Sequence, residues 1–218
     1  MIRPVVSISI IAGLFSACVT GSNICHNTNG NDWPEVANRD VLLNKKRSPI
    51  MFPGSVIADT CVSYINNIKS SPPEESVHNQ LVKSEYLICE MIHLLSESEQ
   101  YEKITTMSSG KKLAAKLDVR SFPSSLFQMA DSKKITLNQL FPHNTKVNGP
   151  LISVETEDWS YTLEILASVR LKGRNSDSWM VRHSDEAKTG NYRSYNILLI
   201  HHPESPGYLK AEICPELN

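Results

Sequence analysis

With 218 residues, 40% of them hydrophobic, the chain is long enough to bury a sizeable core as one domain and too short for more than two. Its 22 lysines and arginines stand against 23 acids, a formal charge of −1, so there is no global attraction to nucleic acid. Beyond the leader no apolar run approaches the roughly 20 residues that a membrane-spanning helix needs.

The chain opens on Arg3 and a mostly apolar stretch, residues 5–15, broken by Ser7 and Ser9. Such a stretch has the length of a signal-peptide core and falls short of a membrane span. Ser16, Ala17 and Cys18 follow. A hydrophobic residue, two small residues and a cysteine in this order resemble the lipobox of bacterial lipoproteins, with Phe15 where leucine is more usual. The resemblance covers the leader alone. It implies loss of residues 1–17 and lipidation of Cys18 as the first mature residue. It also implies a place on the periplasmic side of the cell envelope, and at the outer membrane because Val19 rather than aspartate follows the cysteine. A buried N-terminal element and a plain secretory signal cut beyond Cys18 are the competing readings.

Residues 18–54, with NTNGNDWP and NKKRSPIMFPG, read as anchor and tether. One domain is expected over 55–218, helical over 55–149 and β over 150–214. Ile57, Cys61, Tyr64, Ile65 and Ile68 recur at helical spacing and predict a helix over 55–69 with Ser55 as its N-cap. Ser71-Pro72-Pro73-Glu74 fits a capping box and opens a second helix to 96, lined by Val77, Leu81, Ile88, Ile92 and Leu95. The short link between them predicts an antiparallel helical hairpin. Residues 97–149 are mixed, with a short helix over 110–117, one or two helical turns each over 126–130 and 136–141, and turn chemistry at Asn148-Gly149-Pro150.

The period then changes to two. Trp159, Tyr161, Leu163, Ile165, Ala167 and Val169 alternate with a mostly polar set and predict a long strand. Strands are also expected over 151–155, 178–183, 192–201 and 208–213. Residues 197–200 are apolar on both faces, which marks a central strand covered on both sides. Helices followed by strands point to an α+β fold, an N-terminal helical hairpin packed on a C-terminal antiparallel meander.

If Cys18 is lipidated, Cys25, Cys61, Cys89 and Cys214 remain, an even number that reads as two disulfides in an exported chain. Three connectivities are open. The pairing Cys61–Cys89 with Cys25–Cys214 is favoured, although the first requires irregularity at the start of the second helix. Free thiols are the alternative; zinc is disfavoured because no two cysteines are close enough in sequence.

Catalytic signals are sparse. Glu90 and His93 share a helical face and make half of a zinc-protease motif whose other half is missing. His201 and His202 point to opposite faces of a strand. His183, Ser184 and Asp185 are adjacent, and adjacent residues do not stack as nucleophile, base and orienter. No G-x-S-x-G, P-loop or dinucleotide fingerprint occurs. The expectation is no catalytic residue, metal or cofactor, with an envelope hydrolase built from dispersed residues such as Glu90, His93, His183 or His201 as the alternative.

Arg170, Lys172, Arg174, Arg182 and Arg193 cluster around the strand turns, and alternation is expected to put several on one face. That patch suits an acidic envelope protein or polymer; edge protection of strands is the competing reading. The segment SVRLKGRNSDSWMVR, residues 168–182, resembles the strand-loop-strand of FG-GAP-type calcium loops. Arg170, Lys172 and Arg174 stand where that family has carboxylates, so calcium binding is not expected. Together these features predict a lipid-anchored envelope protein that acts by binding, as an accessory, inhibitor or immunity-type factor.

Overall fold

The structure, a computed structural model, describes residues 38–214. The leader, Cys18, Cys25 and most of the tether lie outside the described residues. A short helix α1 (Arg39–Asn44) leads into a hairpin of β1 (Ile50–Phe52) and β2 (Val56–Ala58), then α2 (Cys61–Ile68), α3 (Val77–Val82) and α4 (Leu87–Ser96). Next come β3 (Ser98–Lys103), α5 (Met107–Lys116) and α6 (Leu137–Leu140). Six strands follow: β4 (Thr145–Asn148), β5 (Leu151–Glu155), β6 (Trp159–Leu171), β7 (Ser178–Ala187), β8 (Arg193–His201) and β9 (Ala211–Ile213).

Among the described residues, β1 and β2 form a small sheet and the other strands form a seven-stranded one, ordered β4-β5-β6-β7-β8-β9. All strand pairings are antiparallel. β6 is long enough to take two partners along one edge. β5 pairs with its residues 160–164, and β3 pairs with its residues 167–171. The mixed helix and antiparallel sheet are as expected, and β8 lies between β7 and β9.

The helical part departs from the expected two-helix hairpin. Pro53, Gly54 and Ser55 are spent on the β1–β2 turn, where Gly54 and Ser55 both take positive φ, 77° and 62°. Ser55 therefore caps no helix. Thr60 does, accepting from Ser63 N in a capping box at the start of α2. The second helix opens at Ser76, not Ser71. Residues 71–76 are held instead by β1: Glu74 N–H donates to Met51 O, and the buried Asn79 side chain bonds both Met51 and Glu74. A 3-10 turn, Lys83–Tyr86, then separates α3 from α4. That irregularity brings Cys89 to Cys61 at the head of α2, and the two form a disulfide with Cα atoms 4.9 Å apart. Cys214 is fully buried; its expected partner Cys25 lies outside the described residues.

Glu90, on the helical face it shares with His93, points into the core and is only 2% exposed. Tyr64 Oη donates to Glu90 Oε1 at 2.6 Å, and the Lys83 ammonium bonds both. A buried carboxylate without such partners would cost several kcal/mol. Burial, with Glu90 second, pushes the Tyr64 phenol far above its ordinary pKa, so it stays a donor.

Two cores cover the two faces of the sheet. On one face α2 and α4 pack over Ala167, Val169, Met180, Ile197 and Leu199. On the other, α5 and the 117–141 segment pack over Leu163, Ile165, Val181, Leu198 and Ile200. β6 serves both because its register against β7 shifts between Ile165, opposite Val181, and Ala167, opposite Met180. Val181 and Met180 point to opposite faces, so the bulge turns the odd-numbered residues of β6 from one core to the other.

The α5 layer comes very close to the sheet. A Cβ on Gly110 would lie 2.3 Å from the Gly149 carbonyl oxygen and 2.9 Å from Val147. Helix propensity alone favours Gly110→Ala by about 1 kcal/mol. The clash with rigid backbone outweighs it, and urea unfolding is expected to show a net loss of about 1–3 kcal/mol. A stabilised Gly110→Ala variant would mean that α5 stands further from β4.

Candidate functional site

The bulge in β6 also determines where the sheet is left open. Beyond α4 the helical face of the sheet carries polar residues. Thr162 and Glu164 come from β6, Arg182 and Ser184 from β7, and Tyr195 from β8. Leu87, Ile88 and Met91 of α4 form a wall above them, and Leu166 and Ile197 continue the apolar surface beneath. The hollow between has a volume of about 490 Å³. Lys103, at the end of β3, stands on its rim. A hollow of this size with an apolar wall and a few converging polar groups suits a small ligand.

Its polar end is organised by strand register. Glu164 and Arg182 are directly opposed and form an ion pair. Only one of the Arg182 nitrogens is engaged there. Glu186 holds the next row: Ser184 Oγ donates to it at 2.8 Å, and Arg193 Nε lies 3.5 Å away. Burial first, then its bond to Glu186, pushes Tyr195 up to about 12, which keeps the phenol protonated. Lys103 has no ion-pair partner among the described residues.

The five cations marked by the sequence are not assembled into one patch. Arg170 lies after the bulge and Arg182 opposite the strand before it, so they face opposite sides of the sheet. Arg182 and Arg193 share the open face. Arg170 bonds Asp177 at 2.8 Å, Lys172 lies 3.5 Å from Glu97, and Arg193 bonds the Ala187 carbonyl as well as facing Glu186. Arg174 alone of the five has no ion-pair partner among the described residues.

The residues offered to a dispersed hydrolase are likewise separated. Glu90 is sealed in the helical core, as above. His183 is fully buried on the other face of the sheet, between Tyr161 and Phe122, with ring centroids 5.2 and 5.3 Å away. Asn196 Nδ2 lies 3.3 Å from its Nδ1, and its Nε2 has no hydrogen-bond partner among the described residues. Burial lowers its pKa to about 3, so the ring is neutral and a poor general base near pH 7. Asp185, on the same face, accepts from Ser125 N at 2.6 Å and Ser125 Oγ at 2.8 Å. Burial raises it against those bonds. Ser184 points away, into the open hollow, as strand alternation requires.

One arrangement escaped the sequence. Register places Ser178 opposite His201, with Ser178 Oγ 2.8 Å from Nδ1, and Glu212 of β9 bonds Nε2. The residue types are those of a hydrolase triad. Ser178 is only 4% exposed and does not line the shallow hollow beside His201, so its hydroxyl is not presented to a substrate. The trio ties β7, β8 and β9 together. Among the described residues no cluster of histidine, cysteine and acid is suited to a metal ion. Compared with known proteins, the chain matches no protein-family model, no curated protein and no solved structure.

Proposed function

We propose that this chain is a lipid-anchored protein of the cell envelope that works by binding, through the hollow between α4 and the sheet, and not by catalysis. The hollow carries the reading. It combines a preformed apolar wall with an incompletely used arginine, and the triad-type residues elsewhere are sealed in cores or tied into the sheet. The lipobox-like leader and the Cys61–Cys89 disulfide support an oxidising compartment outside the cytoplasm. The role is that of an accessory, inhibitor or immunity-type factor. The paired state of Arg170, Lys172, Arg182 and Arg193 moves the contact surface from an acidic-partner patch to this hollow.

Two measurements test it in a diderm bacterial host. Cys18→Ala is expected to move the protein from the membrane pellet to the soluble fraction. A photo-crosslinking residue at Thr162 is expected to trap an envelope component that the same residue at the distant Lys133 does not. Unchanged fractionation of Cys18→Ala, together with no Thr162-specific adduct, would remove the proposal.

A further inference from the structure

We infer that the hollow takes a small amphipathic anion, a carboxylate on an unbranched apolar body. This rests on the binding role proposed above and names the ligand class for the same site. Charge supplies the first reason. Two cations, Lys103 and Arg182, line the hollow against one carboxylate, Glu164. One positive charge is therefore left over, on side chains that stay open to solvent beside the apolar wall, where it can attract an anion from solution.

Donor chemistry supplies the second reason. Arg182 gives Glu164 a single nitrogen and keeps the rest of its planar fork. Lys103 adds a mobile ammonium at the rim, with no competing acid among the described residues. The anionic head is therefore seated at the Arg182 end, beside the Thr162 hydroxyl. Shape supplies the third reason. Leu87, Ile88 and Met91 present aliphatic carbon and sulfur along one side of α4, with Leu166 and Ile197 beneath. A flexible thioether and aliphatic side chains adapt to a methylene chain. The one aromatic ring in the lining, Tyr195, is tied through its hydroxyl to Glu186.

Decanoate below its micelle concentration is the probe, titrated calorimetrically into the full-length chain, with decyltrimethylammonium as the opposite charge on the same tail. Saturable one-to-one binding of decanoate is expected, at least about tenfold tighter than of the cation. Arg182→Gln removes a charged donor and is expected to weaken decanoate binding about ten- to a hundredfold. Lys103 lies exposed on an edge strand, so Lys103→Gln leaves the fold intact; it is expected to weaken binding several-fold without moving the thermal midpoint. The inference is overturned by the absence of saturable heat, by equal affinity for the two amphiphiles, or by wild-type affinity in both variants. Thr162 crosslinks that persist without decanoate binding would reject the ligand class and leave the binding role standing. Loss of both would reject the role as well.

Discussion

Replacing Cys61 and Cys89 together with alanine is expected to lower stability by about 3.5 kcal/mol. The disulfide closes a loop with a sequence separation of 28. In the chain-entropy model a loop of that length gives about this figure, by denying the unfolded chain its open conformations. Both sulfurs are completely buried within the helical core, so exchange for alanine also removes packing there. For a chain of this size the thermal midpoint should fall by roughly 10 °C. The measurement is urea unfolding with and without reductant. Reduction should cost the wild type about 3.5 kcal/mol more than it costs the double variant. A wild type indifferent to reductant would show that this bond does not carry the core. The effect should also reach the hollow, because α4 supplies its apolar wall and the disulfide fastens the first turn of α4 to α2.

Acid should destabilise the fold through His183. Burial lowers this imidazole from 6.5 to about 3. The unfolded chain therefore takes up the proton first. The contribution is fully present above pH 6.5 and is lost as pH falls from there towards 3. By linkage the complete loss is about 5 kcal/mol, and about 2 kcal/mol is already gone between pH 7.5 and pH 5. Asp185, on the same face, acts in the opposite sense: burial holds its folded pKa above the usual value, so acid favours the folded form there. Tyr161, the other titratable neighbour, stays protonated throughout, since burial raises it well above its ordinary value. His183→Gln separates these effects. Its stability should fall between pH 7.5 and pH 5 by about 2 kcal/mol less than that of the wild type. Parallel profiles for the two proteins would show that the ring is hydrated or already paired with an acid.

Some of the fold was readable from neighbouring residues. The alternation from Trp159 onwards marks β6, and the run 197–200, apolar on both faces, marks β8 as a strand covered on both sides. The helical spacing of Cys61, Tyr64, Ile65 and Ile68 marks the buried stripe of α2. Other elements carry no such pattern. β3, SEQYEK, has almost no apolar alternation and is a strand because the second half of β6 offers it an edge. Ser55 and Ser71 both suit an N-cap, yet the β1–β2 turn uses the first and hydrogen bonds to Met51 hold the segment after the second. At Ser55 a local hairpin, and at Ser71 a partner distant in the chain, outweigh a cap worth only about 1 kcal/mol.

The candidate site shows the same division more sharply. Arg182 stands out in the sequence as a surface cation, but Glu164 as its partner and Lys103 on the rim depend on register across the sheet. The odd-numbered apolar residues of β6 continue without a break through the bulge, so alternation by itself puts Arg170 and Arg182 on one side. Leu166, an apolar residue in the otherwise polar even-numbered set, is the one local trace of the change of face. Side-chain periodicity reports which residues avoid water, because burial free energy acts residue by residue. It does not report which of two cores receives them. That follows from hydrogen-bond register between strands far apart in the chain, where one inserted residue reverses every side chain beyond it.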